Sequence, residues 1–142
     1  MTRKTVGRLV ALMMGMTAMT LTLAAQRSQT AVETDVDTLK HKLDKREKVL
    51  VIDVRNADEV KSGSIPGAIN IPMSELEARM KDISKDVQIV FACDHGNRSS
   101  RAAELFQQNG YKATTFCALE DWKTKGYKTG RTKKSPSGAI KP

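Results

Sequence analysis

Cysteine and aromatic residues are scarce in this 142-residue chain. Only two cysteines are present, Cys93 and Cys117, and 4% of the residues are aromatic. Two cysteines are too few for a disulfide framework, and so small an aromatic content leaves material for one modest core. Internal repeats are absent as well. We therefore expect one small domain in which each cysteine needs its own explanation.

Acidic residues are missing from both ends of the chain. Residues 1–25 hold three basic side chains and residues 123–142 hold seven, and neither segment has an acid. Residues 26–122 carry 14 basic and 16 acidic side chains, so the formal net charge of +8 arises at the ends. This distribution argues against a basic face on the folded body. We therefore predict no nucleic-acid partner.

The first 25 residues are organised like a secretory signal. A short basic start is followed by 17 uncharged, mostly apolar residues, Leu9 to Ala25, which end in two alanines. We expect residues 1–25 to be a signal peptide and the protein to be periplasmic or secreted. The run is also long enough, at the lower limit, for an uncleaved inner-membrane anchor, the only case in which we expect a membrane contact. An organelle-targeting peptide is a further alternative, since no acid precedes Glu33.

Strand and helix patterns alternate along the middle of the chain. Three continuous apolar runs predict buried strands: 49–54, 88–92 and 113–117. Three periodic segments predict helices: 36–43, 73–80 and 99–108. Such alternation is typical of an α/β fold with a mainly parallel central sheet flanked by helices. We place a single domain at 34–128, after a polar lead-in at 26–33, and predict that residues 129–142 form a basic disordered tail.

The loop after the second strand run is the most informative segment. Cys93 ends the run, four residues including Gly96 follow, and Arg98 precedes the predicted helix. Ligands of open α/β sheets bind at the carboxyl ends of strands, and a tight loop before a helix turns N–H groups toward an anion. We predict that Cys93 is a catalytic thiolate and that Arg98 holds an anionic substrate group. Substrate binding is assigned to the whole loop: Asp94, His95, Gly96, Asn97, Arg98 and Ser99.

These motifs resemble those of the rhodanese family of sulfurtransferases, over about residues 34–128. The matching motifs follow the family's order and spacing: Ile52-Asp53-Val54-Arg55, Asp58-Glu59, Gly63 to Pro72, Cys93 to Arg98, Gly110-Tyr111 and Trp122. The resemblance implies a rhodanese-like fold and transfer of sulfane sulfur through a Cys93 persulfide. The layout is similar to that of small single-domain periplasmic rhodaneses. The implied partners are a donor such as thiosulfate or a persulfide, and a thiol, cyanide or protein-thiol acceptor, with no cofactor.

Residues around the loop receive supporting roles. Asp53 and Arg55, which end the first strand run, are expected to form a structural ion pair near the site. Asp94 stands where family members often have a basic or neutral residue, and its carboxylate would repel thiosulfate if it faced the pocket. His95 is either a general base or an exposed loop imidazole. The two cysteines and two histidines lack the close spacing of a zinc site, so no metal is expected.

Other functions remain open. In the main alternative, Cys117 at the end of the third strand run forms a redox pair with Cys93 or handles its persulfide. Cysteine phosphatases and arsenate reductases also combine Cys and Arg around an anion, but their loop is one residue longer than the four-residue spacing here. Non-catalytic rhodanese-like modules commonly lose the cysteine, which this chain retains.

Overall fold

Five parallel strands form the central sheet of the computed structural model, which describes residues 30–142. The strands are β1 (Val32–Glu33), β2 (Val49–Asp53), β3 (Ile69–Asn70), β4 (Gln88–Cys93) and β5 (Thr114–Ala118). Their order across the sheet is β1-β5-β4-β2-β3, and each pairing is parallel. The predicted signal segment at 1–25 lies outside the described residues.

Helices cover both faces of this sheet. They are α1 (Val36–Asp44), α2 (Met73–Arg79), α3 (Asn97–Gln108) and α4 (Leu119–Thr124), with two short 3-10 helices at Glu59–Ser62 and Met80–Asp82. Helices α2 and α3 pack into one apolar cluster, and α1 and α4 pack into a second. The predicted α/β fold with a parallel sheet and a single domain is thus confirmed. None of the helices within 30–142 has the length and apolar character needed to cross a membrane.

The central strands β2 and β4 are buried on both sides, which explains their continuous apolar sequences. All five residues of β2 are buried, as are the last five of β4. Because side chains alternate along a strand, Phe91 and Cys93 join the cluster on the α2 and α3 face, whereas Val90 and Ala92 join the opposite cluster. This alternation determines which residues each end of the sheet presents on each face.

The elements without a sequence signal are short. Strand β1 lies within the segment that we described as a polar lead-in, where Val32 and Glu33 pair with β5. Strand β3 is only two residues long, and α4 covers six residues directly after β5. Elements of this length contain too few residues to establish a periodicity.

Residues 129–142, which we predicted to be disordered, instead pack against the domain. Gly130 and Ser64 exchange two backbone hydrogen bonds of 2.8 and 2.9 Å, and the N–H of Lys133 donates to the Ala68 carbonyl at 2.7 Å. Near its end the segment buries Ile140, which is 1% exposed. The prediction was wrong because backbone hydrogen bonds along the β3 side of the sheet require no apolar side chains, and one buried isoleucine does not register in the composition.

We predict that Ile140→Ala lowers the free energy of unfolding by about 2 kcal/mol, because it removes buried methyl groups and leaves a cavity. Urea denaturation measures the change, and Lys141→Ala, which alters the exposed neighbour, serves as the control. Equal stability of the two variants would show that the tail does not contribute to the core.

Candidate functional site

The loop that carries Cys93 joins the carboxyl end of β4 to the start of α3. Cys93 is the last residue of β4, and Gly96 precedes α3 in the left-handed conformation with φ +87°. A Cβ atom at Gly96 would lie 3.4 Å from the Phe116 ring in addition to the backbone strain. Glycine therefore permits the tight turn that brings the helix N-terminus against the cysteine.

The Cys93 sulfur is buried against the first turn of α3. Cys93 is 2% exposed, and its Sγ accepts a hydrogen bond from the Ser99 N–H at 3.3 Å. The Ser99 hydroxyl lies 3.3 Å from the same Sγ and 3.0 Å from the Gly96 carbonyl oxygen. A helix N-terminus and its N–H groups stabilise negative charge, so this contact sets a favourable donor against the Cys93 sulfur.

The rest of the loop presents backbone donors. Within the described chain, the backbone N–H groups of residues 95–98 donate to no protein acceptor. Residues 95 and 96 precede α3 and residues 97 and 98 are its first two, and successive N–H groups at such a position make a site for an anion. The arrangement can bind a negatively charged sulfur extending from Cys93.

Arg98 is held by two carboxylates. Its Nη1 and Nη2 donate to the two Glu59 carboxylate oxygens at 2.8 and 2.7 Å, and Nη2 also donates to Asp94 Oδ2 at 3.0 Å. Hydrogen bonding by Arg98 lowers the pKa of Glu59 to about 2, and the Asn56 N–H also contributes. The partnership with Glu59 raises the pKa of Arg98. From the sequence we assign Glu59 no role of its own, because 39 residues separate it from Arg98. Its only signal in the sequence is its place in the Asp58-Glu59 motif.

Asp53 and Arg55 form a buried ion pair beside the loop. Asp53 is 0% and Arg55 1% exposed, and Arg55 Nη2 donates to Asp53 Oδ2 at 2.7 Å. Ser64 donates its hydroxyl to the same carboxylate oxygen, and Arg55 also donates to the Gly63 carbonyl oxygen at 2.7 Å. Although burial opposes its charge, the hydrogen bonds and charge of Asp53 raise the pKa of Arg55. The pair connects the end of β2 to the segment before β3.

Asp94 does not present a free carboxylate, so the condition under which we expected it to repel thiosulfate is not met. It accepts hydrogen bonds from Arg55 Nη1 and Arg98 Nη2, both at 3.0 Å, and its carbonyl oxygen accepts from the Glu120 N–H at 3.1 Å. Its charge is thus compensated by two guanidinium groups, and Asp94 fixes the loop in place. The side chains of His95 and Asn97 are exposed, so of the loop residues they extend furthest toward solvent.

Cys117 lies on the opposite face of the sheet from Cys93. Strands β4 and β5 are adjacent, as the redox hypothesis requires, but Cys117 is aligned with Ala92 and shares its face. Two cysteines whose Cβ atoms point apart cannot form a disulfide without backbone movement. Cys117 is also 0% exposed, and burial followed by the charge of Cys93 raises its thiol pKa to about 12. The geometry therefore argues against the redox pair.

We predict that mild peroxide treatment of the native protein gives no disulfide between Cys93 and Cys117. Non-reducing peptide mapping detects such a link, and the same oxidation in denaturant is the control in which the thiols are free to meet. A crosslink formed as readily in the native protein as in the denatured one would contradict the opposed placement.

We predict that Asp53→Asn lowers the free energy of unfolding by about 3 kcal/mol, because it leaves the buried Arg55 guanidinium without its principal counter-charge. Asp58→Asn, at a residue whose side chain is 90% exposed, should change stability by less than about 0.5 kcal/mol. Denaturant titration compares the two. A loss below about 1 kcal/mol for Asp53→Asn would mean that Asp94 alone compensates Arg55.

Comparisons with known proteins agree with this fold. A sulfurtransferase from Allochromatium vinosum is 38% identical over 79 residues, which cover 56% of this chain and 74% of that protein. The human thiosulfate:glutathione sulfurtransferase is 36% identical over 75 residues, or 43% of this chain and 65% of that protein. A Bacillus subtilis relative, YrkF, is 28% identical over 111 residues, and the chain spans 57% of its length.

A solved structure, almost all of which is matched by this chain, has the same fold. The rhodanese-related protein from Thermoplasma volcanium superposes with a TM-score of 0.63 at 30% identity, covering 70% of this chain and 97% of that one. Residues 35–124 match the family model described as rhodanese-like domain. The matched segment runs from the cap of α1 to the end of α4 and includes the whole cysteine loop, and the chain accordingly belongs to the rhodanese-like family.

Proposed function

We propose that the protein is a sulfurtransferase that carries sulfane sulfur as a persulfide on Cys93. The observation that supports this most is the position of the Cys93 Sγ, which accepts the Ser99 N–H at the start of α3. Within residues 30–142, the backbone N–H groups of residues 95–98 in the same segment have no protein acceptor. These groups are available to stabilise the negative charge of a sulfur atom bonded to Sγ.

The first half-reaction is an attack by the Cys93 thiolate on the outer sulfur of the donor. A bond forms between Sγ and that sulfur as the bond between the sulfur and the rest of the donor molecule breaks. The electron pair of the broken bond leaves with the rest of the donor. With thiosulfate the leaving group is sulfite, and with a hydropersulfide it is a thiolate. The Ser99 hydroxyl, 3.3 Å from Sγ, and the loop N–H groups are the donors that we assign to stabilising the persulfide.

The second half-reaction regenerates the enzyme. A thiolate or cyanide acceptor attacks the outer sulfur of the Cys93 persulfide, the S–S bond breaks, and the electron pair returns to Sγ as the thiolate. Cys93 is 2% exposed, so the outer sulfur of the persulfide is the atom that a bulky acceptor reaches more easily. His95 and Asn97, the exposed residues of the loop, are available for contact with the acceptor.

We predict that Cys93→Ser reduces sulfur transfer at least 1000-fold, on the order of the loss seen when a nucleophile is removed, because a serine hydroxyl is not ionised at neutral pH. Cys117→Ser removes the other thiol and is the control, with turnover expected within about threefold of the parent. Steady-state transfer from a thiosulfonate to cyanide measures both, and denaturation curves establish that the variants are folded. Retained turnover in Cys93→Ser would exclude the proposed nucleophile.

A further inference from the structure

The charges linked to the cysteine loop sum to a negative value. Five ionised side chains form one connected network: Asp53, Arg55, Glu59, Asp94 and Arg98. Three carboxylates against two guanidinium groups leave one negative charge, to which the Cys93 thiolate adds a second. Arg98, the arginine of the loop, is therefore already paired with carboxylates and is not free to bind a substrate anion.

Glu59 is the residue that occupies Arg98. It engages both terminal nitrogens of the guanidinium, which is the same two-point geometry that an anionic substrate group would use. Glu59 is itself held in place by the Asn56 N–H at 2.8 Å, in the turn that follows β2. With a pKa of about 2 it stays ionised throughout the neutral range. An anionic donor must thus displace a fixed carboxylate from Arg98, or approach without the help of this cation.

The electrostatic cost of bringing a donor to the cysteine loop depends on the charge of the donor. The negative charge of the network repels a dianion such as thiosulfate about twice as strongly as it repels a monoanionic donor of the same chemistry. Two unit charges about 5 Å apart change a rate by roughly fourfold at the dielectric constant of bulk water and by more at the lower effective value near a protein surface, so an effect of roughly tenfold is expected. Negative charge around a site also slows the approach of dianions more than that of monoanions.

We infer that Glu59 is a specificity-determining residue which, by holding Arg98, makes Cys93 select monoanionic or neutral sulfane donors over dianionic ones. The substrate class is then the hydropersulfides and organic thiosulfonates, with thiosulfate a poor donor. This inference rests on the proposed function, since it concerns the first attack by Cys93. It replaces the simpler idea that a free Asp94 carboxylate repels thiosulfate, because Asp94 is compensated by both arginines.

Two donors that differ mainly in charge test the inference. Methanethiosulfonate is a monoanion and thiosulfate a dianion, and both deliver their outer sulfur by the same attack, with release of methanesulfinate or sulfite. Both attacks conserve charge and need no additional oxidant or reductant. The measurement is the second-order rate constant for single-turnover release of each product, in low salt, and the result is the ratio of the two constants.

We predict that Glu59→Gln shifts this ratio toward thiosulfate by about tenfold, because it removes the charge and frees Arg98 while conserving the shape of the side chain. The shift should shrink in 1 M salt, where screening acts over about 3 Å. Asp58→Asn is the matched control, since it removes one negative charge at the neighbouring residue, which pairs with Lys61 and not with Arg98. Its ratio should stay within about twofold of the parent.

The outcomes separate this inference from the proposed function. Release of product by the parent protein, with the same donor ratio in Glu59→Gln and Asp58→Asn, overturns the role of Glu59 and leaves Cys93 chemistry intact. An equal shift in both variants overturns it too, because general charge and not the hold on Arg98 would then be responsible. No release of either product by the folded parent protein would overturn the proposed function itself.

Discussion

A single buried guanidinium holds together the elements that form the site. Arg55 is 1% exposed and donates to Asp53 at the end of β2, to the Gly63 carbonyl oxygen before β3, and to Asp94 in the cysteine loop. A buried charge is tolerated only when its hydrogen bonds are satisfied, so these three segments cannot move independently. The position of the loop is therefore linked to the core of the sheet.

The same network governs the electrostatics of the nucleophile. Because Asp94 is shared by Arg55 and Arg98, and Arg98 is shared by Asp94 and Glu59, both guanidinium groups of the network already have carboxylate partners. Stabilisation of negative sulfur is left to backbone N–H groups and to the start of α3, which have fixed orientations and carry no formal charge. A site built in this way favours a sulfur anion held at short range over attraction of highly charged donors from a distance.

The sequence was most informative where a pattern is long or local. Strands β2 and β4 were predicted from continuous apolar runs, and the cysteine loop from residues contiguous in sequence. Strand β3 has two residues, too few for any periodicity, and the docked tail depends on backbone hydrogen bonds that composition does not encode. The contact between Glu59 and Arg98 joins residues 39 positions apart, and no local pattern predicts it.

The placement of Cys117 illustrates a different limit. Both cysteines were predicted to lie at the ends of strand runs, yet a shift of one residue in register decides which face a side chain occupies. The alignment of Cys117 with Ala92, and not with Cys93, follows from the pairing of β4 with β5. Register between parallel strands depends on packing across the whole sheet, so it could not be read from either strand alone.

The most direct test of the persulfide mechanism is peptide-resolved mass spectrometry of the protein after reaction with methanethiosulfonate. The account predicts one added sulfur atom on the peptide that contains Cys93, none on the peptide that contains Cys117, and loss of the added sulfur when a thiol acceptor is supplied. An unmodified Cys93 peptide in protein that has released methanesulfinate, or the added sulfur on Cys117, would contradict it.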